Sequence, residues 1–418
     1  MFNAEKEITK WAPVLDHADE APITDSYKKA VTAKLLENTQ TALRDQAVAS
    51  SFGSLREDAQ VNTGSIETFD PVLISLVRRA MPNLIAYDVA GVQPMSGPTG
   101  LAFAMKARYG DGTDVVNTDV EALFNEADTD FSGTGTHAGE LFDSPESGIT
   151  TGTGIATSTA EKSSALPEMG FTIEKSIVTA KTRQLKAEYS MELAQDLKAV
   201  HGLDAESELA NILSGEILAE INREVIRSIV TTGKLGGIGA TEAFDLVADA
   251  DGRWAVEKFQ SLIFQLEAEA NKIAIETRRG KGNFVICSSN VASALAAAGK
   301  LVFGGENLNV DNAGNTFAGL LNGKLKVYVD PYAGTDYATV GYKGASAYDA
   351  GLFYCPYVPL TMVRAVGENS FQPKIAFKTR YGLVANPITG VVDGIGGANT
   401  NPYYRTFRVK NINVGGQS

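Results

Sequence analysis

The spacing of apolar residues changes along the chain, and each change marks a different element. In "DSYKKAVTAKLLENTQTALRDQAVA", residues 25–49, Val31, Leu35, Leu36, Ala42, Leu43 and Ala47 recur at helical intervals behind Asp25, a residue type that accepts from the free amides of a first turn. A helix this amphipathic must cover its apolar face, either with the body of the protein or with another molecule. In "PNLIAYDVAGVQPMSGPTGLAFAMKARYG", residues 82–110, two apolar runs flank a loop punctuated by Gly91, Pro94, Gly97, Pro98 and Gly100. That pattern predicts two stiff segments joined by a turn. "FTIEKSIVTAKTRQLKAEYS", from Phe171 to Ser190, reads as extended, with charges alternating so that both faces are largely polar or spanned by long stems.

The period then returns to that of a helix. Ser190 caps a short helix with Leu193, Leu197 and Val200 on one stripe, closed by Gly202, with His201 at its end. Asp204 opens a second helix in which Leu209, Leu213, Ile217, Ile221 and Val225 repeat every four residues, giving a rod of roughly 40 Å. After a loop from Gly233 to Gly252 the pattern is α/β: a helix from about Val256 to Arg278, the strand "NFVIC", and a helix from about Val291 to Ala298. The strands "KLKVYVD", "YATVGYK" and "GLFYCPYVPLTMV" follow, and the last third is extended and basic. Residues 111–164 break the series. "TDFSGTGTHAGE" and "SGITTGTGIATSTAEKSS" carry few large apolar groups, so this stretch is expected to form no core of its own and to be ordered by a neighbour.

Composition narrows the function. A chain of 418 residues, 44% hydrophobic, has material for more than one core, and a formal net charge of −13 repels nucleic acid at long range. Two cysteines, Cys287 and Cys355, supply no disulfide framework, and no apolar run reaches membrane-spanning length; the chain is expected to be soluble and made in a cytoplasm. No metal or cofactor site is expected. His17, His137 and His201 have no spaced partners, "LLNGKL" and "GTGTHAG" miss the phosphate-loop and dinucleotide spacings, and "DLVADADGRW" has Arg253 where a calcium ligand belongs. Ser288 and Ser289 in "FVICSSN" suit a helix cap better than a hydrolase elbow. An enzyme would have to draw on the 50 scattered carboxylates, which makes a cytoplasmic α/β enzyme the remote alternative.

The segment from Pro82 to Gly100, with "LISLVRRAMPN", "EMGFTIEKSIVTAKTRQLKAEYSMELAQDLKAVHG", "EINREV", "GNFVICSSNV", "DYATVGYKG", "DAGLFYCPYVPL" and "FQPKIAFKTRYG", resembles the major capsid proteins of T-even-type tailed phages over nearly the whole chain. The resemblance implies an α+β, Hong Kong-97-type capsid fold. Its expected parts are a helical assembly segment (1–57), an N-arm (58–95), an extended loop with the Gly/Thr/Ser-rich stretch (96–168), a peripheral domain with a spine helix (169–235), an axial domain (236–350) and strands returning to the peripheral domain (351–418). It implies a structural, non-enzymatic subunit without cofactors, located in the virion and assembled in the host cytoplasm. Such subunits form hexameric capsomers of an icosahedral head around double-stranded DNA, which they do not bind by sequence. The paralogous pentameric vertex protein is the nearest alternative.

The implied partners are further copies, a scaffold, a prohead protease, vertex and portal proteins, and decoration proteins; no membrane is involved. In this family the protease cuts after a glutamate two residues beyond a leucine or isoleucine. "SFGSLREDAQ" matches at Leu55 and Glu57, placing the cut before Asp58 and leaving 361 residues (418 − 57). The sequence departs from larger family members in lacking a domain inserted between the extended loop and the spine region, a place held here only by the Gly/Thr/Ser-rich stretch.

Overall fold

The computed structural model describes residues 5–16, 23, 25–51, 84–110, 115–116, 118–122, 127–138, 150–162, 166–202, 204–238, 243–250, 254–302, 316–346, 348–366, 372–391 and 393–412. The chain divides into two compact units, one of residues 1–101 and 177–418, the other of residues 102–176. Leu55, Glu57, Asp58 and His17 lie outside the described residues.

In the first unit, α1 (Glu5–Leu15) and α2 (Ser26–Ser51) form a helical hairpin. Asp25 accepts from the Tyr27 amide at 2.9 Å, the cap its position predicts. Val31, Leu35 and Leu36 are fully buried, and α2 packs along β12 (Leu352–Val366). Of the two covers open to this face, the body of the protein is the one used. After the short helix α3 (Ala86–Val89) comes β1 (Gly91–Val92), then β2 (Thr99–Tyr109). A four-stranded sheet runs in the order β1, β12, β13 (Pro373–Ala385), β4 (Lys181–Glu188).

The long helix is α6 (Ala205–Thr232), 28 residues or roughly 42 Å at 1.5 Å per residue. Its predicted stripe is buried at Leu213, Ile217, Ile221 and Val225 and continues to Ile229, while Leu209 stays partly exposed. Asp204 occupies the first cap position without a side-chain capping bond; its carbonyl takes the Ser207 hydroxyl at 2.9 Å instead. Directional contacts hold α6 on both sides. Arg183 on β4 donates to Glu220 (2.9 Å) and Glu224, the Asn222 side-chain oxygen accepts from the Ile85 amide (3.1 Å), and Arg223 pairs with the buried Asp330 (2.6 Å).

The larger sheet is built from β5 (Gly233–Leu235), β6 (Ala243–Asp245), β7 (Phe284–Ser288), β8 (Leu301–Val302), β9 (Thr316–Leu321), β10 (Leu325–Asp330), β11 (Tyr337–Gly341) and β14 (Asn401–Lys410). Its order is β5, β14, β11, β7, β10, β9, β8, with β6 also paired to β14. The two-residue alternation of a strand splits this sheet between two cores. Phe284, Ile286, Tyr328 and Tyr404 face the core shared with α6, whereas Val285, Cys287, Val327 and Phe407 face α7 (Ala255–Thr277) and α8 (Ser289–Ala297). Buried on both faces, β7 reads in sequence as a continuous apolar run. The strands of residues 351–418 divide between the sheets: β12 and β13 join the four-stranded sheet, while β14 joins the larger one, where Tyr404 and Phe407 supply its two cores.

The second unit contains most of a two-stranded ribbon, β2 with β3 (Met169–Thr179), together with a helical turn α4 (Thr157–Ala160). Within the Gly/Thr/Ser-rich stretch, Thr134 and Thr153 exchange two backbone bonds of 2.8 Å, and Gly133 and Gly152 sit where any side chain would strike backbone. Chain of this composition folds on hydrogen bonds and close glycine contacts. Between 111 and 164, Ala122 is the single buried apolar residue among those described.

Candidate assembly surface

The ribbon in the second unit carries its polarity inside out. On β2 the residues alternate Ala102, Phe103, Ala104, Met105, Lys106; on β3 they alternate Met169, Gly170, Phe171, Thr172, Ile173, Glu174. The large apolar members of both series point outward. Phe103, Met105, Met169, Phe171 and Ile173 are 53–64% exposed. The covered face holds the small Ala102 and Ala104 and the charged groups: Lys106 and Arg108 both pair with Glu174 at 3.1 Å, and the Arg108 Nε donates to Thr172 at 2.9 Å. A third polar contact runs from the Arg108 guanidinium to the Asp119 carbonyl, so a buried arginine is satisfied by three partners. Five large apolar side chains on one face of an isolated ribbon form the kind of patch that marks a site of association. The sequence predicts the extended segment with both faces largely polar or spanned by long stems; the structure instead gives β3 one apolar face. The missing signal is the second strand, since Phe171 and Ile173 become a patch only beside Phe103 and Met105.

A second uncovered apolar surface lies in the first unit. Helix α5 (Met191–His201) has the predicted cap, with the Ser190 hydroxyl oxygen accepting from Leu193 at 3.2 Å, and the predicted stop at Gly202, φ 68°. Yet it buries none of its own residues. Met191, Leu193 and Val200 stay exposed, as does Ile212 on α6.

Chemical groups elsewhere are occupied structurally. Ser288 caps α8 and donates to Asp336 at 2.8 Å. Burial pushes the thiols of Cys287 and Cys355 up to about 12, which leaves them protonated and inert as nucleophiles at neutral pH. Asp245 accepts from the Val247 amide (2.8 Å) and Asn411 (2.8 Å), so the calcium-like sequence forms a turn over its described residues. His137 lies 3.0 Å from the Thr129 hydroxyl, and His201 is exposed at the end of α5. Among the described residues no cluster of three or more His, Cys, Asp or Glu could hold a metal, and no helix is long and apolar enough to cross a membrane.

Comparison with known proteins shows the family to which the chain belongs. Residues 66–409 match the family described as Major capsid protein Gp23, and the major capsid protein of Salmonella phage ViI is 41% identical over 440 residues, covering 98% of each chain. The chain belongs to the Gp23 family of major capsid proteins. As a Gp23-family protein it is a structural component of the virion, a building block of an icosahedral phage head made of many copies, and not an enzyme. The major capsid protein of Enterobacteria phage T4 is 36% identical over 515 aligned positions, covering 97% of this chain and 98% of its own. Since this chain has 418 residues, at least 97 of those positions (515 − 418) stand opposite a gap in it. The T4 capsid vertex protein is more distant, 30% identical over 249 residues and 55% of this chain. A solved chain from the capsid of Myoviridae phage XM1 aligns with 78% of this chain and 92% of its own, at TM-score 0.40 and 11% identity.

Proposed function

We propose that the chain forms hexameric capsomers of an icosahedral head around double-stranded DNA, and that the apolar face of the β2–β3 ribbon is laid on a neighbouring copy. The outward placement of Phe103, Met105, Met169, Phe171 and Ile173 carries this reading. An apolar ribbon face with a satisfied polar reverse has no use for its own core and needs a partner's surface. Contacts of ribbon on body are head-to-tail, and head-to-tail contacts close into rings. The exposed stripe of α5 with Ile212 is the receiving surface of matching character.

In this reading the fold is of the Hong Kong-97 type. Residues 58–95 are the N-arm, 96–168 the extended loop, 169–235 the peripheral domain around α6, and 236–350 the axial domain, with strands from 351–418 returning. Residues 1–57 direct assembly on a scaffold and are cut off after Glu57 by a prohead protease recognising Leu55 and Glu57; vertex, portal and decoration proteins complete the shell. Packaged DNA is held without sequence readout, as the charge of −13 favours. Electron microscopy of the purified chain tests the assembly: six-membered rings or shells are expected, and these disappear in the Phe103→Asp/Phe171→Asp variant while its circular dichroism stays native. Five-membered rings would move the chain to the vertex role. A stable wild-type monomer at high concentration would overturn the reading.

A further inference from the structure

The α1–α2 hairpin is held on the body by more than an apolar face. Trp11, Leu15, Val31, Leu35 and Leu36 are buried in one core with Val92, Tyr354 and Leu360. The polar contacts around them are directional. The Asn38 side-chain amide donates to the carbonyls of Met95 and Tyr357, both at 2.8 Å, and the Tyr27 hydroxyl donates to the carbonyl of Val92. The Lys28 ammonium stands 5.4 Å from the centroid of the Tyr87 ring.

These contacts meet a particular feature of the sheet. β1 is an edge strand, joined to β12 in parallel, and the Gln93 and Met95 amides continue that pairing onto Tyr354 and Pro356 at 2.9 Å. Strand alternation turns the Val92 carbonyl away from β12, and Pro94, next in line to face outward, has no N–H. At Pro94 the edge therefore lacks one donor that another strand would need, while the Val92 carbonyl faces outward as an acceptor. A helix bearing donor side chains fits it, and α2 brings Tyr27 and Asn38.

We propose that residues 84–95 together with β12 form a built receptor for the hairpin, which keeps it bound after the covalent link is cut. The inference takes its biological occasion from the proposed cleavage after Glu57, and makes cleavage and loss of the segment two separate events. Cutting removes the high effective concentration that tethering gives, but none of the contacts. Dissociation then requires residues 84–95 to shift against β12, or the hairpin itself to be digested. It uncovers the carbonyls of Val92, Met95 and Tyr357 together with the apolar bed.

The test uses the full chain with a site for a specific protease inserted between Glu57 and Asp58, cut after purification and confirmed by denaturing gel. On size exclusion at micromolar concentration the 1–57 fragment is expected to co-elute with the body. In the Asn38→Leu variant, which removes both amide donors without adding charge, the fragment should be lost at least about tenfold faster. In Leu35→Asp/Leu36→Asp it should separate at once. Separation of the wild-type fragment on cutting overturns the proposal, whether or not the body stays folded, and so does equal retention of all three. The engineered cut does not depend on the natural one. An intact N-terminus in the capsid band of infectious particles, read by mass spectrometry, would remove the natural cleavage and leave the receptor to be judged by its own experiment.

Discussion

The ribbon of residues 102–176 and the larger sheet of the first unit are both made of strands with two-residue alternation, yet they dispose of it in opposite ways. In β7 the alternation divides two buried sets, Phe284 and Ile286 from Val285 and Cys287, and each set has a core within the chain. In the ribbon the apolar set faces outward and the polar set is covered, with Arg108 and Glu174 paired beneath it. Apolar area is stabilising only where water is excluded. Within the single chain the exposed Phe103 and Phe171 gain little from burial, and in the proposed assembly it is a second copy that covers them.

The largest effects should come from substitutions that separate these two uses. Phe103→Asp/Phe171→Asp should abolish shells, read by sedimentation, while shifting the stability of the unassembled chain by less than about 0.5 kcal/mol, as at other exposed sites. Leu266→Ala, at a position fully buried under the larger sheet, should cost about 3 kcal/mol in chemical denaturation before any assembly is measured. If Phe171→Asp destabilised the subunit as much as Leu266→Ala, the contrast between the regions would be lost.

The buried charges sharpen the same contrast. Glu269 is wholly buried and accepts from Arg405 (2.7 Å), Gln265 (2.9 Å) and Lys272 (2.8 Å). Arg405→Met removes one of the two cations paired with that carboxylate, leaving Lys272, and should cost about 3 kcal/mol. Glu174→Gln in the ribbon, where the carboxylate keeps contact with water, should cost about 1 kcal/mol by the same measurement.

A smaller effect depends on pH. Lys343 is half-buried where its ammonium donates to the Tyr87 carbonyl, among Asp88, Lys28, Lys326 and Asp25, and desolvation pushes its pKa down from 10.5 to about 8. Between those values the unfolded chain holds more protons than the folded one, so this group makes stability rise with pH across that window. The gain from pH 8 to pH 10.5, wild type against Lys343→Met, should be about 2 kcal/mol. A flat difference would mean that the ammonium is not desolvated. The smallest effect is expected at α5. Val200→Ser should change subunit stability by no more than about 0.3 kcal/mol, and any loss of assembly would mark the α5 stripe as the receiving surface.

The sequence by itself determined the elements whose signals are local. Asp25, Ser190 and Gly202 cap or stop helices where their chemistry predicts, the four-residue repeat from Leu209 to Val225 makes a rod of the expected length, and "NFVIC" is a strand because a short apolar run between a glycine and a cap has no room to be a helix. It also carried the family, through long ordered blocks of residues that reach across the chain. Only the tertiary structure decided what depends on partners distant in sequence. That α2 lies on β12, that β14 leaves the strands before it to join the larger sheet, and that Phe103 shares an outward face with Phe171 are facts about pairs. Alternation tells which residues lie on the same side of a strand. Which side is covered depends on what packs there, and for the ribbon the proposed partner is another copy of the chain.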